Sequence, residues 1–146
     1  MSGDQDLVKL YSARILALAA DMPFTERLPA PHGTARKRSP LCGSTVTVDV
    51  VLEDGRITAF GQDVKACALG QASAAILGEV VIGRSVDELR KAQLELLAML
   101  KDNGPVPEAP FEAYELLSPA REYRNRHASI MLALEATLAA IEAANA

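Results

Sequence analysis

Cysteine occurs twice in this chain, at Cys42 and Cys67, each framed by small residues. Cys42 lies in Ser39-Pro40-Leu41-Cys42-Gly43-Ser44, just ahead of an alternating stretch. Cys67 lies in Lys65-Ala66-Cys67-Ala68-Leu69-Gly70-Gln71-Ala72-Ser73, where a hairpin ends and a small-residue helix begins. The thiolate is the form of cysteine that binds metal or attacks sulfur. A helix starting at Ala68 sets the Cys67 thiol at its N-terminus, where unpaired N–H groups and the macrodipole favour an anion. Lys65 acts in the same direction. Gly43 lets a ligand or another backbone approach Cys42. Each cysteine reads equally well as a small buried hydrophobe.

His127 is the third candidate, in Arg124-Asn125-Arg126-His127-Ala128-Ser129. Neutral imidazole is a common metal ligand, although a single histidine at a helix start also serves as a cap or a solvated side chain. His32 has no evident partner. Two thiolates and one imidazole would leave the fourth position of a tetrahedral metal open. The spacing is not that of a compact zinc finger, because no Cys-x-x-Cys pair is present.

These residues need elements to position them. Leu7, Leu10, Ile15 and Leu18 recur at helical spacing and predict a helix over 4–20, ended by Pro23. Pro23, Pro29, Pro31 and Gly33 mark an irregular segment. Residues 34–39 predict a short strand. From Thr45 the period is two: Val46, Val48, Val50 and Leu52 share one face, and Thr45, Thr47, Asp49 and Glu53 the other. Asp54-Gly55 is a two-residue hairpin signal, with the return strand over 56–64. The hairpin brings its flanks together, so Cys42 and Cys67 are expected to converge at one end of the sheet. A buried helix follows over 68–82. Ser85 and Glu88 form a capping box for a helix reaching Lys101. A short helix is expected over 111–117, and a last one over 123–144 with Ile130, Met131, Leu134, Leu138 and Ile141 on one face. The expected architecture is one α+β domain over 1–146, a three-stranded antiparallel sheet packed on one face by helices.

Composition narrows the function classes. With 49% apolar and 23% charged residues in 146, the chain can bury a core. A net charge of −4 provides no global field for nucleic acid or an anionic membrane. The one basic run is Arg36-Lys37-Arg38. Trp is absent, so base-stacking platforms are not expected. No run of about 18 apolar residues predicts a membrane span, and the acidic start does not suit a signal peptide. A cytoplasmic location with reduced thiols is expected. No phosphate-binding glycine loop, HExxH or nucleophile elbow is found, so the chain does not read as an enzyme. The carboxylates read as solvated, with Glu135 able to pair with Arg126.

The segment Cys67 to Ala75, followed by Ile82-Gly83-Arg84-Ser85-Val86-Asp87-Glu88-Leu89, resembles the second-cysteine segment of the U-type iron–sulfur cluster assembly scaffolds: IscU, SufU and the N-terminal part of NifU. Ser39-Pro40-Leu41-Cys42-Gly43 resembles that family's first-cysteine segment, Asn-Pro-x-Cys-Gly-Asp. The resemblance spans about Leu7 to Ile141 and implies a SufE/NifU-like scaffold fold. It implies a non-enzymatic protein that holds a labile iron–sulfur cluster or iron, or zinc at rest. A cysteine desulfurase supplies sulfur in that family, and apo iron–sulfur proteins receive the cluster. Cys42 and Cys67 match the first two cysteine ligands. Two departures follow: Ser44 stands where the family has its aspartate, and the third cysteine is missing. In one register His127 takes its place. In another, His127 matches the histidine before it and Ala128 replaces the cysteine. The expected ligand set is therefore Cys42, Cys67 and His127 for iron or a cluster, with a zinc-binding partner-docking module of the same fold as the alternative.

Overall fold

A computed structural model describes residues 12–40 and 43–145. Cys42, and residues 4–11 of the expected first helix, lie outside the described residues. The described part of that helix, α1, is Ala13–Ala20, capped by Ser12, whose hydroxyl accepts from the Ile15 N–H at 3.3 Å. It is followed by β1 (Gly33–Arg38), β2 (Thr45–Glu53), β3 (Arg56–Lys65), α2 (Ala68–Val80), α3 (Val86–Lys101), a 3-10 helix (Glu112–Glu122) and α4 (Arg124–Ala144).

The strands form one antiparallel sheet in the order β1-β2-β3. Asp54 and Gly55 both have positive φ, 53° and 75°, as a two-residue turn matched to strand twist requires. The turn pairs Glu53 with Arg56, and a bulge between Val51 and Leu52, where the register shifts by one, sets Thr45 opposite Lys65 at the far end. Ser85 and Glu88 close a reciprocal capping box at α3. The segment expected to be a short helix over 111–117 is longer and of 3-10 type. Pro119 lies inside it and lacks the N–H that an α-helical ladder needs.

Val46, Val48 and Val50 are buried, and α4 packs across β1 and β2, with α2 and α3 against its flanks. The expected apolar face of α4 proves too narrow. Ser129, Ala133, Ala136, Thr137 and Ala140 are buried as well, so the helix is enclosed nearly all round. By length and composition alone this 21-residue helix passes for a membrane span. Its packing against sheet and helices accounts for that apolarity as a core position.

The second sheet face departs from expectation. Asp49, placed by alternation on a polar outward face, is completely buried. Segment 22–31 folds over it. Arg27 donates to its carboxylate through Nε (2.6 Å) and Nη2 (3.1 Å), the Leu28 N–H donates at 3.0 Å and the Thr34 hydroxyl at 2.6 Å. Burial pushes the Asp49 carboxyl up, but these donors outweigh it and hold it below the usual range. His32, without an evident partner in the sequence, accepts from the Leu52 N–H on Nδ1 at 3.0 Å.

Candidate functional site

Cys67 is the N-cap residue of α2, half-buried, with extended backbone (φ −66°, ψ 171°). Its position follows from the hairpin: β3 ends at Lys65, and small residues take the chain directly into the helix. Cys42, expected to converge with Cys67, lies outside the described residues; from that flank of the hairpin the structure brings Ser44 to the site. Ser129 on α4 bridges the two sides. Its hydroxyl lies 3.3 Å from Ser44 Oγ and 3.5 Å from Cys67 Sγ.

Gly70 lets α4 come this close. A Cβ there would sit 2.6 Å from Ser129 Oγ and 2.8 Å from Ala66 Cβ. Burial pushes the Cys67 thiol up, but the Ser129 hydroxyl, the Gly70 and Leu69 N–H groups and Arg126 outweigh it. The thiol is held below its ordinary pKa. The helix N-terminus thus favours the thiolate as the sequence leads one to expect. The cation that assists is Arg126.

Arg126 and Ser129 stand in no motif that marks them for the site. They lie three residues apart at the start of α4, on one face of the helix. That spacing is the only signal the sequence offers for them.

His127 is also buried, at 4% exposure. Two residues from Ser129 is about 200° around an α-helix, so His127 faces away from the contact that Ser129 makes. Its Nε2 is 2.8 Å from the Ala120 carbonyl oxygen, and it borders a cleft of about 360 Å³ with Lys101, Asp102 and Arg124. Because a carbonyl only accepts, Nε2 donates in this contact. The structure therefore brings Ser44, Cys67, Arg126 and Ser129 together and leaves His127 outside that group. Among the described residues no three His, Cys, Asp or Glu side chains are grouped as a metal site. Glu135 does not pair with Arg126; its nearest influence is Lys37, which partly offsets the upward push of burial on its carboxyl.

Residues 23–143 match the family described as NifU-like N terminal domain. The crystal structure of a nitrogen-fixing NifU-like protein (N-terminal) from Brucella abortus is similar at 42% identity and a TM-score of 0.93, covering 96% of this chain and 97% of that one. A putative iron–sulfur cluster assembly scaffold protein for the SUF system from Fervidobacterium islandicum AW-1 has a TM-score of 0.80 over 88% of this chain and 94% of that one. At 19% identity it speaks for the fold alone. No curated protein matches the sequence. The α+β fold expected from the sequence is the fold of these scaffold-type neighbours.

Proposed function

The chain belongs to the NifU-like N-terminal domain family, and we propose that it carries iron or a labile iron–sulfur cluster as cargo in cluster assembly. Cys42 and Cys67 are the proposed thiolate ligands and His127 the third. The observation that carries this reading is the Cys67 thiol: partly accessible, at a helix N-terminus, and held toward thiolate by Ser129, two N–H groups and Arg126.

The donor set fits such cargo in part. Ser44 and Ser129 supply hydroxyls where an acidic oxygen would hold a cation more firmly, and Arg126 offsets one thiolate charge. Both features favour weak, exchangeable binding over a permanent centre. For His127, the proton on Nε2 directed at a carbonyl is the arrangement that stands behind metal-bound histidines. His127 faces away from Cys67 in this structure, so its place in the ligand set rests on its position in the family pattern, which His127→Ala tests. Among the described residues, Ser44, Arg126 and Ser129 are the side chains gathered at Cys67, and none of them is a base that takes a proton at neutral pH. A cysteine desulfurase as sulfur donor and apo iron–sulfur proteins as recipients complete the proposal.

Protein purified without added metal, then reconstituted anaerobically with ferrous iron and sulfide, should gain visible absorbance and bound iron. Cys67→Ser should abolish both, and His127→Ala should lower the iron retained after desalting. A colourless, iron-free product indistinguishable from Cys67→Ser would sink the proposal. Stoichiometric zinc that iron does not displace would replace it with the zinc-binding reading. Iron retention unchanged in His127→Ala would remove His127 from the ligand set.

A further inference from the structure

The two edges of the sheet are treated differently. The β3 edge is covered: the Gln62 N–H donates to Phe24 O, the Ile57 N–H to Arg84 O, and the Gly83 N–H to Ile57 O. At the other edge, the Ser39 N–H donates to Ser44 O, which makes that pair hydrogen-bonded in the antiparallel ladder. Alternation along the register then directs the main chain of Gly33, Ala35 and Lys37 at β2 and that of Thr34, Arg36 and Arg38 outward. Among the described residues no main-chain partner meets those outward groups.

The same edge carries Arg36-Lys37-Arg38, all exposed, in a chain of net charge −4. Lys37 also lines an open groove between β1, α3 and α4, with Arg90, exposed Leu94, Leu138 and Glu135. A strand laid against β1 would place alternate side chains in two settings. Those on the helix side meet Leu94 and Leu138. Those on the other side meet Arg36 and Arg38.

We propose that the β1 edge docks an extended acidic segment of a partner protein by strand addition. Main-chain pairing at Thr34, Arg36 and Arg38 gives the register; Arg36 and Arg38 select acidic side chains on one face of the added strand, alternating with apolar ones on the helix side. A second copy of this chain fits poorly, because antiparallel pairing would oppose one basic run to another. The inference does not depend on which cargo, if any, Cys67 holds.

The test is a titration of the full-length, 15N-labelled protein with the capped peptide Glu-Val-Glu-Leu-Glu-Val-Glu. Expected are saturable binding that weakens as salt rises, and slowed exchange of the Arg36 and Arg38 amides. Arg36→Ala should weaken binding about two- to fivefold, the range of a cross-strand ion pair. Arg36→Pro should weaken it by a further factor of about ten or more, because it also removes the outward N–H. Proline is tolerated at an outward edge position, and an intact amide spectrum confirms that the variant folds. Several outcomes would overturn the inference: no binding at millimolar peptide, equal binding of a Lys-for-Glu peptide, Arg36→Pro binding as well as Arg36→Ala, or self-association through this edge.

Discussion

Asp49→Asn tests whether the buried carboxylate ties segment 22–31 to the sheet. The carboxylate accepts four hydrogen bonds from Arg27, Leu28 and Thr34. Asparagine keeps one acceptor oxygen and turns an NH2 toward groups that donate, so about half of these contacts are lost. Breaking a buried pair by removing one partner costs about 3–5 kcal/mol when a charge is stranded. Here no buried charge remains, and the Arg27 side chain, 55% exposed, returns to water. The lower figure of about 2–3 kcal/mol is therefore expected, from hydrogen bonds to a charged group worth roughly 1.5 kcal/mol each. The sign with pH follows from the carboxyl being held below its usual value. Its contribution is present above the unfolded pKa of about 3.9 and is lost as pH falls through the folded pKa. Urea denaturation followed by circular dichroism at pH 7, 5 and 3.5 should show a constant gap between wild type and variant at the first two and a smaller one at the third. A gap under about 0.5 kcal/mol at pH 7, the size of an ordinary surface change, would refute the argument, as would a gap that grows on acidification.

Ser129→Ala removes the hydroxyl beside Cys67, so in metal-free protein with Cys42→Ser the pH midpoint of Cys67 alkylation should move up and the rate at pH 7 fall. Gly70→Ala gains about 1 kcal/mol of helix propensity but overpacks against Ser129 and Ala66, costing about 1–3 kcal/mol. A double-mutant cycle with Ser129→Ala should recover part of that cost, whereas strict additivity would mean the two residues do not touch. Tyr114→Phe deletes a fully buried hydroxyl with Ser73 as its polar neighbour among the described residues, so thermal unfolding should show a loss of no more than about 1 kcal/mol, the net worth of one hydrogen bond.

What was legible in the sequence was local. The Asp54-Gly55 turn and the Ser85–Glu88 box each need only residues within a few positions, and both form as expected. The fold class follows from the same periodicities, since period two stops at the end of β3 and helical spacing takes over. Alternation misplaces Asp49 because it reports only which side of a strand a residue faces. That side is dry because Arg27, 22 residues away, folds over it. The sequence of α4 reads as amphipathic because large apolar residues mark one stripe. Its alanines bury the rest, and alanine gives little hydropathy contrast to see.

The site shows the same division. Cys67 was legible because a thiol at a helix start is a local pattern. Ser129, 62 residues on, was not, because the phase of α4 against α2 is set by packing around Gly70. That phase changes the chemistry of the cysteine. A carboxylate and a third thiolate beside Cys67 would add negative charge, and a bound cation would have to stabilise all of it. Ser129 and Arg126 instead stabilise the thiolate through a hydroxyl and a positive charge already in the protein, with Ser44 in contact with Ser129 rather than with the sulfur. The thiolate is favoured before any cargo arrives, and a cation approaching it meets Arg126. On the proposed reading, both effects act toward a loose hold on metal, as a carrier that must release its cargo requires.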